Sequence, residues 1–126
     1  MSLKISQEQF DAIRQVESGG RPDAVGDQGR SIGPYQIQEG YWKDAVEHNP
    51  SLKDGGKTWQ NTKGAGSIEY SERVMQSYAD RYATKSRLGR DPTFEDVARN
   101  HNGGPNGYKR SSTDAYWQKV KETLQK

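Results

Sequence analysis

Residues 10–20 of the chain read FDAIRQVESGG. Apolar side chains recur every third position in this stretch, at Phe10, Ile13 and Val16, among Gln, Glu and Arg. This period predicts an amphipathic helix. The two glycines at the end of the stretch stop the helix, because glycine past the last turn is the usual C-terminal signal. The pattern therefore places Glu17 on the last turn.

A longer helical pattern follows in the second half of the chain. It runs from Ile68 to Leu88, and its bulky side chains recur every fourth position. They are Tyr70, Val74, Tyr78 and Tyr82. Beyond it, Asp91-Pro92 is typical of a helix cap followed by proline at the first helical position, so it predicts the start of the next helix.

The remaining segments are shorter. Further helices are predicted over three of them: Glu39–Val46, Asp91 to His101, and Thr113 to the C-terminus. Short strands are predicted around Val25 and over residues 35–37, and residues 49–66 are predicted to form a long loop. These elements indicate an α+β fold, mainly α, with a small β-hairpin or irregular loop region. A length of 126 residues predicts a single domain over residues 1–126.

The composition narrows the class of protein. Hydrophobic residues make up 29% of the chain, but three Trp, seven Tyr and two Phe can bury large areas, and we expect Trp42 and Trp117 to be structural. A net charge of +2 is too small to indicate a nucleic acid partner and is compatible with an anionic polymer such as a cell wall. No stretch of about 18 apolar residues is present, so no membrane span is predicted.

The chain contains no cysteine and two histidines, His48 and His101. Disulfides and thiol catalysis are therefore excluded, and the sequence predicts neither a metal site nor a cofactor. Residues 1–10 lack the apolar run of a signal peptide. The compartment is left open: a cysteine-free chain can fold in the cytoplasm, whereas a protein that acts on the wall would be secreted or periplasmic once an export signal had been removed.

Glu17 is one of two carboxylates whose positions suggest chemistry. At the C-terminal end of a helix it faces the negative end of the helix dipole, and burial there would further favour its protonated form. A carboxylic acid that keeps its proton near neutral pH can protonate the leaving oxygen of a glycosidic bond. On position alone, a solvated helix-end glutamate is the simpler interpretation.

Asp27 is the second carboxylate. It lies in Val25-Gly26-Asp27-Gln28-Gly29, a turn predicted to fold back over the end of the first helix. Glycosidases pair a protonated with an ionised carboxyl across the sugar, and the ionised one stabilises or attacks an oxocarbenium-like centre. The alternative is an ordinary turn aspartate that bonds its own backbone, and Asp23 is a rival for the role.

Residues 99–107 read RNHNGGPNG. Asn and His side chains beside bare glycine backbone suit a groove that receives sugar hydroxyls and amides, because glycine lets a flat ring approach the main chain. A helix C-cap followed by a loop explains the same residues equally well.

Four stretches together resemble the invertebrate-type (i-type) lysozymes, a family that includes the destabilases. They occur in the family's order and span nearly the whole chain: Val16-Glu17-Ser18-Gly19; Gly33-Pro34-Tyr35-Gln36-Ile37-Gln38-Glu39-Gly40-Tyr41-Trp42; Arg81-Tyr82-Ala83; and His101-Asn102-Gly103-Gly104-Pro105 with Tyr116-Trp117 beyond. The last of these is the most specific to the family.

The resemblance implies a lysozyme-like fold and hydrolysis of the β-1,4 bond between N-acetylmuramic acid and N-acetylglucosamine, in peptidoglycan or a chitin-like glycan. It also implies that Glu17 is the proton donor and Asp27 the second carboxylate. The resemblance further implies sugar-binding roles for the following residues: Tyr35, Gln36, Tyr78, Tyr82, His101, Asn102 and Gly103. Only one tyrosine of the long helix is implied, and Tyr78 and Tyr82 are the two candidates for it. We expect a monomer, with a protein inhibitor left unidentified.

Two features depart from the family pattern. Animal members are rich in cysteine, whereas this chain has none and must cohere by packing alone. The spacing from Asp27 to Tyr35-Gln36 is also slightly shorter than in the family, which bears more on the assignment of Asp27 than on that of Glu17.

Three other functions fit the sequence. A lytic transglycosylase of the same superfamily would use Glu17 alone and release an anhydro sugar. An isopeptidase would use a serine–histidine pair, for which Ser31 and His101 are the candidates, although nothing in the sequence around Ser31 activates it. A non-catalytic module would bind peptidoglycan without turnover.

Overall fold

A computed structural model describes residues 3–126 of the chain. The chain divides into two compact units, Glu17–Tyr78 and Met1–Val16 with Ala79–Lys126. Among the described residues, no helix is both long and apolar enough to cross a membrane. The assignment of residues 1–126 to one catalytic domain stays a prediction.

Helices make up most of the described chain, as the helical spacing of its apolar residues predicts. The α-helices are α1 (Gln7–Ser18), α2 (Glu39–His48), α3 (Ser67–Tyr82), α4 (Lys85–Leu88), α5 (Phe94–Gly103) and α6 (Asp114–Gln125). Short 3-10 helices span Asp27–Gly29, Pro50–Gly56, Trp59–Thr62, Gly107–Lys109 and Ser111–Thr113. The predictions for α1, α2 and α6 are confirmed to within two residues at most ends.

A small antiparallel sheet lies in the unit Glu17–Tyr78. Its strands are β1 (Val25–Gly26), β2 (Ser31–Ile32) and β3 (Ile37–Gln38), in that spatial order. In the register, Ser31 lies opposite Gly26 on one side and opposite Gln38 on the other. With this sheet, the predicted mainly helical α+β class is confirmed. The predicted strand over residues 35–37 was partly wrong, since Gln36 has φ 53° and only Ile37 belongs to a strand.

The predicted helix from Ile68 to Leu88 is two helices. Helix α3 ends at Tyr82, and Thr84 adopts an extended conformation with φ −121°. The Thr84 side chain accepts a hydrogen bond from the Arg87 amide at 3.3 Å, so it caps the start of α4. A local side-chain cap therefore interrupts a pattern that is helical by period alone.

Two other sequence predictions were wrong. Helix α5 is not capped at Asp91-Pro92: Thr93 is the N-cap, and it forms a capping box with Asp96. The expected long loop over residues 49–66 contains two 3-10 helices, the second of which begins with a capping box of its own at Thr58. Both errors arise where short polar side chains supply local caps.

Each unit has its own buried apolar side chains. In Glu17–Tyr78 they are Ile32, Tyr35, Ile37, Ala45, Val46, Leu52, Tyr70, Val74, Met75 and Tyr78. In the other unit they are Ile5, Phe10, Ala12, Ile13, Ala79, Ala83, Phe94, Val97, Ala98 and Val120. The repeat Tyr70, Val74, Tyr78 thus marks a buried face of α3, as its spacing predicts.

The tryptophans are tied into these packed regions. Trp42 donates its indole hydrogen to the Tyr70 hydroxyl at 2.9 Å, and that hydroxyl donates to the Leu52 carbonyl at 2.7 Å. In the other unit, Trp117 packs edge-on against Phe94 with ring centroids 5.8 Å apart. The hydrogen bond satisfies the polar end of the Trp42 ring, and the contact with Phe94 covers part of the apolar body of Trp117.

Candidate functional site

Glu17 lies on the last turn of α1, as the sequence predicts, and the structure shows it to be half-buried. The next residue, Ser18, fixes that end of the helix: its hydroxyl donates to the Pro34 carbonyl at 2.8 Å and accepts from the Gly20 amide at 3.1 Å. Ser18 is itself buried. The backbone that carries Glu17 is therefore tied to the segment that leads into Tyr35.

Two stacked tyrosine rings lie in the same unit as Glu17, and one of them, Tyr41, is near enough to interact with it. Tyr41 on α2 stacks on Tyr78 of α3, with ring centroids 3.7 Å apart and an angle of 15° between the planes. The loss of water around the Tyr41 phenol raises its pKa well above the usual value, and the Tyr78 phenol and the charge of Glu17 raise it further. Tyr41 therefore keeps its proton at neutral pH. No local sequence pattern groups Tyr41 with Glu17, because they belong to different helices.

Asp27 lies in the hairpin that joins β1 to β2 and is exposed. Three successive residues there have left-handed backbone conformations: Asp27 with φ 51°, Gln28 with φ 60° and Gly29 with φ 91°. Aspartate tolerates this region better than most residues, whereas glutamine adopts it at a cost of about 1–3 kcal/mol. Such strain is most often found at functional sites.

The Asp27 carboxylate is held by a neighbouring strand. Its Oδ2 atom accepts a hydrogen bond from the Ser31 hydroxyl at 2.6 Å, and the Ser31 oxygen accepts one from Gln38 Nε2 at 3.2 Å. Ser31 is buried and lies in the unit Glu17–Tyr78, whereas His101 belongs to the other unit. The rival carboxylate, Asp23, is exposed in the loop before β1.

Tyr35 and Gln36 occupy supporting positions. Tyr35 is fully buried, and its hydroxyl donates to Glu72 Oε2 at 2.6 Å. The side-chain amide nitrogen of Gln36 donates to the Gly33 carbonyl at 2.9 Å and to the Ala24 carbonyl at 3.2 Å. The side chain of Tyr35 thus lies below the surface, and the amide hydrogens of Gln36 hold the loops around the hairpin. Glu72 is a half-buried carboxylate that the sequence analysis missed.

The expected residues His101, Asn102 and Gly103 form the last turn of α5, in the unit that contains Ala79–Lys126. Asn102 is exposed, and His101 and Gly103 are half-buried. The chain leaves the helix at Gly104, which has φ 87° and whose amide bonds the Asn100 carbonyl at 2.8 Å. The expected helix C-cap and an accessible polar turn are therefore both present.

Tyr82 and the loop after α5 are joined by one arginine. Arg87 donates to the Tyr82 and Pro105 carbonyls, each at 2.9 Å, and to Asn106 Oδ1 at 3.1 Å. Its guanidinium also lies 5.3 Å from the centre of the Tyr82 ring, and that of Arg81 lies 5.1 Å from it. This arrangement could not be predicted from the sequence, since an exposed arginine on a short helix has no distinctive pattern.

Asn100 is a second support of the same loop that the sequence did not reveal. It is buried, and its Oδ1 accepts from the Tyr108 amide at 2.8 Å. Among residues 3–126, no group of three or more His, Asp and Glu side chains could hold a metal ion. The carboxylate of Asp27, the amide of Asn102 and the imidazole of His101 are at least partly accessible, and carboxylates and imidazoles are common groups in acid–base chemistry.

Comparisons with known proteins bear on both the sequence and the fold. A family model described as Destabilase matches residues 6–123. The chain is 36% identical to Lysozyme 1 of Crassostrea virginica over 121 residues, which are 92% of this chain and 58% of that protein. It is 35% identical to a lysozyme of Meretrix lusoria over 122 residues, or 94% and 89% of the two chains. The chain spans about three fifths of the length of several curated relatives that it matches.

Two solved structures have similar folds. The Meretrix lusoria lysozyme in complex with Aeromonas hydrophila PliI gives a TM-score of 0.75 at 34% identity, covering 94% of this chain and 89% of that chain. The Tapes japonica lysozyme gives a TM-score of 0.75 at 30% identity, with coverages of 97% and 94%. The predicted lysozyme-like fold and the resemblance to the invertebrate-type family are thereby confirmed.

Proposed function

The chain belongs to the Destabilase family, and from this premise we propose that it is a lysozyme-type glycoside hydrolase. Its proposed substrate is the β-1,4 bond between N-acetylmuramic acid and N-acetylglucosamine in peptidoglycan. One observation carries the proposal: the half-buried Glu17 on the fixed end of α1, beside the stacked pair of Tyr41 and Tyr78. A carboxyl held at the fixed end of a helix, beside aromatic rings, can be presented to a bound sugar in one position, which a proton donor requires.

In the proposed reaction Glu17 acts first as an acid. Its proton passes to the glycosidic oxygen as the bond from that oxygen to the anomeric carbon breaks, and the leaving sugar departs as an alcohol. The Asp27 carboxylate stabilises the positive charge on the anomeric carbon or bonds to it. Water then attacks that carbon, which breaks the bond to Asp27 where one has formed, and gives a proton back to Glu17, so that both carboxyls are restored.

The implied sugar-binding residues take unequal parts in this proposal. Tyr82, His101 and Asn102 are the side chains that we assign to substrate contact, with the Gly103 backbone beside them. Tyr35, Gln36 and Tyr78 we assign to support, because Tyr35 and Tyr78 are buried and the Gln36 amide hydrogens are engaged by the backbone. A protein inhibitor is a further proposed partner, since a structurally similar lysozyme from Meretrix lusoria is known in an inhibitor-bound form.

Digestion of purified peptidoglycan, with the products identified by mass spectrometry, tests the proposal. We expect hydrolysed products with reducing ends from the wild-type chain. Removal of a general acid costs about 10²- to 10⁴-fold in rate, so Glu17→Gln should lose nearly all activity while it still binds the wall. Asp27→Asn should also lose activity, and Asp23→Asn is the matched control that should keep it.

Each other outcome supports a different function. Retention of more than about a tenth of the rate by Glu17→Gln would remove Glu17 from the reaction. Anhydro products, with full activity in both aspartate variants, would indicate a lytic transglycosylase that uses Glu17 alone. Loss at Asp23 with normal activity at Asp27 would exchange their roles. Binding without turnover would indicate a wall-binding module.

A further inference from the structure

We propose that Ser31 is a positioning residue for Asp27 and that Gln38 directs its hydroxyl hydrogen. This inference rests on the proposed function, because it assigns Ser31 a part in the reaction through Asp27. It also gives Ser31 a different role from that of a nucleophile paired with His101.

The sheet brings the three side chains together. Ser31 is in the central strand, opposite Gln38 of β3 and opposite Gly26 of β1, the residue that precedes Asp27. Ser31 is 3% exposed, whereas Asp27 and Gln38 are both exposed. A buried hydroxyl thus lies between an exposed amide and an exposed carboxylate.

Hydrogen-bond chemistry fixes the direction of the Ser31 hydrogen. The Gln38 nitrogen at 3.2 Å can only donate, so the Ser31 oxygen must accept from it. The single hydroxyl hydrogen then points to Asp27 Oδ2, 2.6 Å away, which is a typical distance for a bond from a hydroxyl to a carboxylate. The chain from Gln38 through Ser31 to Asp27 is therefore polarised toward the carboxylate.

Asp27 needs such a partner because of where it lies. Its side chain is exposed, and both Asp27 and Gln28 have positive φ angles of 51° and 60°. An exposed aspartate in a hairpin turn samples several rotamers in water, whereas catalysis at an anomeric carbon needs one. The bond from Ser31 selects the orientation in which Oδ2 points toward the sheet and leaves Oδ1 for the substrate side.

The test compares two serines that are equally buried and that each donate a hydrogen bond over 2.6 Å. Ser77 is also 3% exposed, and its hydroxyl donates to the Ala45 carbonyl at 2.6 Å. Ser31→Ala should fold normally, because water can replace the lost bonds of its exposed partners. We expect it to lower kcat on peptidoglycan by about 10- to 100-fold with KM nearly unchanged, as misplacement of a reacting group does. Ser77→Ala should leave kcat unchanged, and Ser31→Thr, which keeps the hydroxyl, should recover most of the lost rate.

A double-mutant cycle separates this inference from the proposed function. If Ser31 acts only through Asp27, adding Ser31→Ala to Asp27→Asn should lower the residual rate no further. A wild-type kcat for Ser31→Ala, or an equal further loss in the Asp27→Asn background, would overturn the inference while an inactive Asp27→Asn upholds the proposed function. A fully active Asp27→Asn would overturn the role of Asp27 and, with it, that of Ser31.

Discussion

Asp96 offers a sharp test of how the unit that carries His101 is held together. It occupies the third position of α5, and its side chain is 3% exposed. Both terminal guanidinium nitrogens of Arg90 donate to it at 2.8 Å, and Thr93 donates through its amide at 2.8 Å and its hydroxyl at 3.1 Å. The carboxylate thus joins the start of α5 to the loop before it.

We predict that Asp96→Asn lowers the free energy of unfolding by about 1.5–2 kcal/mol at pH 7. Hydrogen bonds to a charged group contribute about 1.5–3 kcal/mol, and the lower end applies because the Arg90 side chain is 53% exposed and regains water. The asparagine oxygen can still accept from the Thr93 amide, so the cap itself survives. For a chain of this length, each kcal/mol corresponds to about 3–4 °C, so Tm should fall by about 5–8 °C.

The pH dependence of this difference has a definite sign. Burial acts to raise the pKa of Asp96, but the bonds from Arg90 and Thr93 outweigh it and hold the pKa below its usual 3.8. The unfolded chain therefore binds the proton more tightly than the folded one, and stability rises with pH between the two pKa values. The contribution of Asp96 is complete above about pH 5 and is lost as the pH falls through its folded pKa.

Thermal unfolding followed by circular dichroism at pH 7 and at pH 3 measures both effects. The gap between wild type and Asp96→Asn should be wide at pH 7 and narrower at pH 3. Asp91→Asn is the matched control: its side chain is 87% exposed and lies 3.8 Å from Lys85, and exposed pairs contribute about 0–1 kcal/mol. Equal Tm losses in the two variants, or a gap that widens in acid, would refute the reasoning.

Two further predictions concern Arg87 and Gly33. Arg87→Ala should raise KM for peptidoglycan more than it lowers kcat, because the loop at Pro105 loses its support. Arg87→Lys should recover only part of the lost affinity, because lysine lacks the planar fork of the guanidinium. A normal KM for Arg87→Ala in steady-state assays would contradict this prediction. Gly33→Ala should destabilise the fold by about 2–4 kcal/mol, because Gly33 has φ 81° and a methyl group would meet the Thr62 carbonyl. An unchanged Tm for Gly33→Ala, measured by circular dichroism, would contradict this prediction and would show that the loop moves to accommodate the methyl group.

The sequence predicted those features that depend on a local period. The spacing of Phe10, Ile13 and Val16, with the glycines that follow, indicates α1 and puts Glu17 on its last turn, where the structure has it. The recurrence of bulky side chains at every fourth residue of α3 likewise identifies a buried face. Periodicity failed at Thr84, where one side-chain cap ends a longer helical pattern. It also failed at Thr93, because aspartate three residues later is less familiar in a capping box than glutamate.

The surroundings of the candidate site could not be predicted in the same way. Tyr35 follows a glycine-proline turn in a polar stretch, yet it is fully buried and reaches Glu72 on α3. The stacking of Tyr41 on Tyr78 also joins two helices that no local pattern relates. Such contacts depend on tertiary packing, whereas propensity and period describe only neighbours along the chain.

Because the chain has no cysteine, non-covalent contacts such as hydrogen bonds and ion pairs, rather than disulfides, must join α5 to α6. Arg99 is mostly buried and donates to Glu95 at 2.9 Å, to Thr113 at 2.8 Å and to Asp114 at 2.7 Å. It also donates to the Arg110 carbonyl at 2.8 Å. One side chain thereby connects α5, the 3-10 turn and the start of α6, a linkage that disulfides often provide in small proteins with thin cores. Because these bonds need no oxidation, this unit can form in reducing and oxidising surroundings alike. A reductant should therefore leave this part of the fold intact, since no disulfide holds it.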